Sequence, residues 1–153
     1  MPGTAKHLID QEELLAGSPL FSSLTMKQYG LIRKHITTVR LKEHEMLFHR
    51  GDPFHSFYLV ISGKIELFRV SLSGQEKIIE LQTKGMTFAE ALMFNENPTY
   101  PVSARAMEDS HVYKINASHF RNMLLTSPEA CMSILADVSY RLHGLINEID
   151  NLS

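Results

Sequence analysis

The sequence is poor in the residues that most constrain function. It has one cysteine, Cys131, which excludes a disulfide framework, and one thiol cannot hold an iron–sulfur cluster. It has no tryptophan, and no apolar run of the roughly 18 residues that a membrane span needs. The opening MPGTAKHLIDQEELL lacks the apolar core of a signal peptide, so a soluble, cytoplasmic protein with no membrane partner is expected. Charge of one sign is scarce too: 15 Lys and Arg face 17 Asp and Glu, net −2, with a pI near 6.4. Nucleic-acid surfaces are usually basic, so this segment is not expected to be one. Nor is there an internal repeat, a low-complexity tract or a His-x-His pair. That last absence removes the cupin type of metal oxygenase, whose site needs such a pair on one strand face. His44 and His49 are five apart, and a continuous strand would point them to opposite faces. No Ser–His–Asp or Cys–His constellation can be assembled either, and no enzyme is expected.

What is present reads as one domain of ordinary size. The 153 residues are 44% apolar and 21% charged, enough to bury a core. Residues 8–35 look helical in pieces. LIDQEELL gives a turn or two, SPLFSSL breaks it, and Thr25-x-x-Gln28 matches a capping box opening a helix to about His35. From Thr37 the chain turns to short segments rich in Val, Ile, Phe and Tyr. They are punctuated by Gly51-Asp52-Pro53, Ser62-Gly63, Ser73-Gly74 and Glu108-Asp109. About eight strands at such spacing predict a β-sandwich or barrel. Arg50-Gly51-Asp52 is read as part of a turn and not as an adhesion motif. Helical periodicity returns after Asn116, a plausible N-cap, with Phe120, Met123 and Leu124 on one face.

The most regular segment is the last. Ser127 is a good N-cap and Pro128 suits the first helical position. From there Leu135, Val138, Leu142, Leu145, Ile149 and Leu152 are spaced 3, 4, 3, 4, 3, which is a heptad seam. A helix of this length spans roughly 38 Å, more than a small barrel needs to cover itself. A homodimer through this helix is therefore expected, against the plainer reading of an amphipathic helix lying on its own domain. Gly144 interrupts the helix at a cost of about 1 kcal/mol relative to alanine. It leaves room for a ligand or for close helix packing.

The stretch FAEALMFNENPTYPV, residues 88–102, sets an acid, Glu90, on an apolar run and contains no Lys or Arg. Three stretches carry a resemblance: EHEMLFHRGDPFHSFYLVISGKIELF, then GMTFAEALMFNENPTYPVSARA, then the heptad helix. Together they resemble the cyclic-nucleotide-binding fold, and more narrowly the sensor half of regulators in the catabolite activator / fumarate–nitrate regulator superfamily. The resemblance spans residues 15–153. It implies a mainly β jelly-roll barrel with flanking helices over residues 1–127 and a dimerisation helix over 128–153. It also implies DNA binding through a C-terminal helix-turn-helix domain absent from this chain, which is read as truncated or as a stand-alone sensor.

In nucleotide-binding relatives, backbone N–H groups and an Arg hold the cyclic phosphate while a Glu accepts from the ribose hydroxyl. Carried over by position, Glu90 stands for the ribose acid and Ala89 replaces a usual Gly. Tyr100 replaces the phosphate Arg, and Pro101 replaces a Ser. On the long helix Leu145-Ile146 replaces a Thr–Ser pair. Burying a phosphate without its cation is costly. No tight cyclic AMP binding is expected, although a cyclic-nucleotide module with a degenerate phosphate site remains the alternative. The expected ligand set is Phe88, Ala89, Glu90, Ala91, Leu92, Tyr100, Pro101, Val102, Leu145 and Ile146. With Met93 and Phe94 it would suit a flat apolar cofactor. TFAEALMF…NPTY further resembles the dissimilatory nitrate respiration regulators, and this resemblance implies haem and nitric-oxide sensing. Of the eight histidines, His143 and then His7 are the candidate axial ligands. A third reading is a ligand-free or aromatic-acid sensor. Glu90 has a structural alternative, capping backbone donors or pairing with Arg105.

Overall fold

The computed structural model describes residues 10–152. After a helical segment at 10–16 comes α1 (Met26–Arg33), then strands β1 (Ile36–Leu41), β2 (Met46–Phe48), β3 (Ser56–Ser62), β4 (Lys64–Val70), β5 (Glu76–Thr83) and β6 (Thr87–Phe88). A 3₁₀ turn (Glu90–Phe94) precedes β7 (Ser103–Ala106), β8 (Ser110–Asn116), α2 (Ala117–Leu124) and α3 (Pro128–Leu152). The expected eight strands form two four-stranded sheets, ordered β1-β8-β3-β6 and β2-β7-β4-β5. Every named strand pair is antiparallel. The result is a jelly-roll barrel carrying helices, as the resemblance implied.

The local signals explain where the helices start. Thr25 Oγ1 accepts from the Gln28 N–H at 3.1 Å and Gln28 Oε1 accepts from the Thr25 N–H at 2.9 Å, a complete capping box. Asn116 Oδ1 accepts from the His119 N–H at 3.0 Å and caps α2. Ser127 Oγ accepts from the Ala130 N–H at 3.4 Å, and Pro128 opens α3.

Strand β3, SFYLVIS, reads as an unbroken apolar run because both its faces are covered. Phe57, Leu59 and Ile61 pack under the helices with Phe21, Ile32, Phe120 and Ile134. The alternate residues Tyr58 and Val60 point into the roll, where Phe48, Ile65, Phe88, Tyr100 and Val112 meet them. Each such side chain contributes about 1.5–3 kcal/mol when removed from water. Gly63, at the β3–β4 turn, has φ +86°. A Cβ there would lie 2.6 Å from the Asp109 carbonyl oxygen and overlap Ser110 Oγ, so only glycine fits.

Helix α3 packs only through its start. Ala130 and Ile134 are buried, Asp137 is half-buried, and every described residue beyond it is exposed. The seam residues Leu135, Val138, Leu142, Leu145 and Ile149 are 48–65% exposed, so the helix does not lie on its own domain along that stripe. Leu152 closes the helix, but its side chain lies outside the described residues.

Candidate functional site

The turn after β6 is built around an alanine in a glycine-like conformation. Ala89 sits at φ 68°, ψ 3° in the left-handed region, which for a side-chain-bearing residue costs about 1–2 kcal/mol. The bend swings the chain from β6 into the 3₁₀ turn and presents Glu90 and Ala91 outward, while Met93 turns under the helices and Leu92 toward the roll. Thr87 Oγ1 donates to Glu90 Oε1 at 3.3 Å. The expected Glu90–Arg105 pairing does not form. Strand register instead sets Arg105 beside Glu66, directly opposite it on β4. Arg105 Nε donates to Glu66 Oε1 at 2.6 Å, and its other nitrogens hold Glu76 at 3.0 and 2.7 Å.

Tyr100 occupies the inside of the roll. Its ring stacks on Phe48 with centroids 3.7 Å apart, meets Phe54 edge-on, and its hydroxyl donates to the Ser56 carbonyl at 2.6 Å. Burial pushes the hydroxyl pKa of Tyr100 up, and burial followed by its neighbour Tyr100 does the same to Tyr58. Phe88, Phe48 and Tyr58 complete this aromatic cluster. The residue standing at the phosphate-binding position is thus a wall of the core and not an open ligand contact. Phe88 is equally buried, and Val102 is half-buried against the same cluster. Pro101 is exposed, its carbonyl accepting from Arg69 Nε at 3.2 Å.

What is open lies in front of the roll. A cavity of about 350 Å³ is enclosed by β5, the turn from Gly85 to Phe94, the residues Pro19-Leu20 and the first half of α3. Of the expected ligand set, Glu90 and Ala91 line it, as does the neighbouring Phe94. Leu145 and Ile146 do not. The helix meets the cavity through Ile134, Asp137, Val138 and Arg141, earlier than expected, because it has left the domain by Leu145. The wall is also less apolar than expected: Glu80, Gln82, Glu90, Asp137 and Arg141 stand among Leu20, Met86 and Phe94. Arg141 pairs with Asp137 at 3.1 Å, one helical turn away. Sequence reasoning missed Glu80 and Gln82, whose spacing of two on one strand was the available signal that they share a face. It missed Asp137 and Arg141 because the heptad seam dominates the pattern of that helix.

The site does not match a haem in this conformation. No histidine among the described residues lines the cavity, and carboxylates occupy its wall. His143 is exposed on α3 away from it, and His7 lies outside the described residues. Among the described residues no cluster of His, Cys, Asp and Glu could hold a metal ion. Gly144 has no neighbour among the described residues near the space a Cβ would take, so nothing in them requires glycine there.

Comparison with known proteins agrees with the architecture. Residues 38–127 match the cyclic nucleotide-binding domain family. The sensor domain of the transcriptional regulator DNR from Pseudomonas aeruginosa superposes with a TM-score of 0.80 at 33% identity, covering 96% of this chain and 97% of that one. The cyclic AMP receptor protein of Thermus thermophilus is 30% identical over 91% of this chain and 64% of its own length. The transcriptional activator protein anr of Pseudomonas aeruginosa is 39% identical over 61% of this chain and 38% of its own length. The chain therefore spans less than two thirds of either full-length relative, and no helix among the described residues is long and apolar enough to cross a membrane. The chain belongs to the cyclic nucleotide-binding domain family, within the sensor domains of catabolite activator / fumarate–nitrate regulator transcription regulators.

Proposed function

We infer that this chain is the effector-sensing and dimerisation domain of a bacterial regulator that does not take cyclic AMP in the manner of its nucleotide-binding relatives. One observation carries the reading. Helix α3 lines the cavity through Asp137, Val138 and Arg141 and exposes the seam Leu135, Val138, Leu142, Leu145 and Ile149, which meets that wall at Val138. A ligand in the cavity touches the same helix that a second copy would grip, with Leu152 extending the seam. Binding then biases the tilt or register of a helix pair, and a DNA-binding domain of the whole protein would read that change. Residues 1–127 act as sensor and 128–153 as the dimerising helix of a cytoplasmic homodimer.

Within the ligand set, Glu90 and Ala91 make the contacts. Phe88, Ala89, Leu92, Tyr100, Pro101 and Val102 form the frame that presents them, and Leu145 and Ile146 belong to the helix surface. Response to haem and nitric oxide, or to redox state, rests on the resemblance to the nitrate-respiration branch and on likeness to the DNR sensor domain. A cyclic-nucleotide module with a degenerate phosphate site is the second reading, favoured by likeness to the Thermus cyclic AMP receptor protein and opposed by Tyr100 in the roll.

Light scattering tests the dimer: the parent chain should have twice the monomer mass, and Leu142→Glu should halve it. An unchanged mass would remove the seam. For the effector, absorption spectra with added haem, with and without nitric oxide, are compared with those of His143→Ala. No Soret shift at stoichiometric haem would remove the cofactor reading, and tight calorimetric binding of cyclic AMP would favour the second one.

A further inference from the structure

A second cavity borders the same 3₁₀ turn through Met93. Its volume is about 520 Å³, against about 350 Å³ for the cavity beside α3. Three segments enclose it: residues 53–55 ahead of β3, the stretch from Met93 to Thr99, and α2 with its cap. Backbone bonds tie these segments together. Pro53 and Thr99 form a β-bridge, the Phe54 N–H donates to the Pro98 carbonyl at 3.0 Å, and the Ala117 N–H donates to the His55 carbonyl at 3.0 Å. The walls are therefore fixed without a ligand, as small-molecule sites usually are. The last of these bonds, with Asn116 Oδ1 on the His119 N–H, also occupies the start of α2, so the helix end is not what the cavity offers.

What it offers is side-chain chemistry of one kind. Asn95, Asn97 and Asn122 bring three exposed amides to the wall. Among the described residues that line it, Arg121 carries the one fixed charge and no carboxylate stands with it. Arg121 forms no ion pair with any described residue. In a chain of net charge −2, this wall is a local reversal of sign. Buried Met93 and half-buried Phe54 and Pro98 give it an apolar floor. An amide side chain holds both an acceptor and donors, which matches a hydroxyl, itself donor and acceptor. A guanidinium forks to a carboxylate or a phosphate, and no acid on this wall competes for it or repels an anion. A wholly apolar ligand would strip water from the amides without replacing it, and a cation would meet Arg121 with like charge.

We propose that this second cavity is a binding site for a small polyhydroxylated anion, a sugar phosphate or a sugar acid. Its acidic group would sit on Arg121, its hydroxyls on Asn95, Asn97 and Asn122, and its C–H face on Phe54 and Pro98. The 3₁₀ turn serves both cavities: Glu90, Ala91 and Phe94 line the first, and Met93 lines the second. A ligand here thus bears on the element that presents Glu90. The proposal goes beyond the sensor reading and does not rest on it.

The test uses the 153-residue chain with glucose 6-phosphate, glucuronate, glucose and inorganic phosphate as probes. NMR titration gives the affinity, and the side-chain amides of Asn95, Asn97 and Asn122 report the place. At least one anionic sugar should bind saturably below about 10 mM and move those amides, and the better one decides between phosphate and carboxylate. Glucose lacks the charge and inorganic phosphate lacks the hydroxyls, so each should bind at least about tenfold more weakly. Arg121→Gln, at an exposed position, should weaken the anionic sugar by about tenfold or more at unchanged thermal stability. Asn122→Ala should weaken the sugar while leaving inorganic phosphate unaffected. Inorganic phosphate binding as tightly as the sugars, an affinity indifferent to Arg121→Gln, or no saturable shift with either anionic sugar would overturn the proposal. The dimer mass, measured without any probe, tests the sensor reading separately, so either can fail while the other stands.

Discussion

Tyr100 is the residue whose removal discriminates most sharply between a core wall and a ligand contact. Two substitutions separate its parts. Tyr100→Phe keeps the ring stacked on Phe48 and removes only the hydroxyl that donates to the Ser56 carbonyl at 2.6 Å. Loss of one buried hydrogen bond costs about 1–2 kcal/mol. In a chain of this size that lowers the melting temperature by about 2–8 °C. Tyr100→Ala removes the ring as well, and with it the contacts to Phe48 and Phe54 at centroid distances of 3.7 and 5.6 Å. A truncation of that size in a core costs about 3–5 kcal/mol, or about 6–20 °C. Urea unfolding followed by circular dichroism measures both, with the slope unchanged if the native state keeps its compactness. Neither variant should gain cyclic AMP binding, because removing the ring supplies no cation. The reasoning is refuted if Tyr100→Phe stays within about 0.5 kcal/mol of the parent, or if Tyr100→Ala is no worse than Tyr100→Phe.

Other expectations follow from the same geometry. Gly63→Ala should lower stability by more than about 2 kcal/mol in urea unfolding, since a Cβ would add overlap with Ser110 and Asp109 to an unfavourable φ. Arg105→Met should cost about 3 kcal/mol by leaving Glu66, 6% exposed, without its partner, and adding Glu66→Gln should recover part of that loss. The Arg105 guanidinium holds the Glu76 carboxyl below its ordinary range. That contribution is present above the ordinary carboxylate pKa and fades as pH falls through the lowered one, so the stability gap between the parent and Arg105→Met should narrow as pH falls through the acid range. Tyr58 and Tyr100 have the opposite sign: burial raises their pKa, so their contribution holds below about pH 10 and is lost as pH climbs further. A Tyr58→Phe/Tyr100→Phe variant should show a shallower alkaline loss of stability in a pH-stepped melt.

Much of this architecture was legible because its causes are local. Thr25 and Gln28 sit three apart and cap each other, Gly63 marks a turn that admits no side chain, and Leu135, Val138, Leu142, Leu145 and Ile149 stand exposed on one long helix. What stayed hidden depends on distance in space. Arg105 takes Glu66 and Glu76 because β7, β4 and β5 lie side by side in one register, and nothing near Glu90 in sequence reveals that. Leu145 and Ile146 were assigned to the cavity by position, but whether a helix residue reaches a wall depends on the angle at which the helix departs. Tyr100 could be recognised as a replaced cation without its sequence showing that the ring turns inward. Gln82 looks ordinary on β5 until its burial in the cavity wall is known.

The departure of α3 from the domain has a mechanical consequence. The helix is held by the body through Ala130, Ile134 and the half-buried Asp137, borders the cavity as far as Arg141, and extends beyond the domain as a stiff lever. From Arg141 to Leu152 its length is about 17 Å, so a tilt of about 10° at the gripped end carries the tip through about 3 Å. A displacement at the cavity too small to disturb core packing therefore becomes, at the free end, a step as large as half a helical turn.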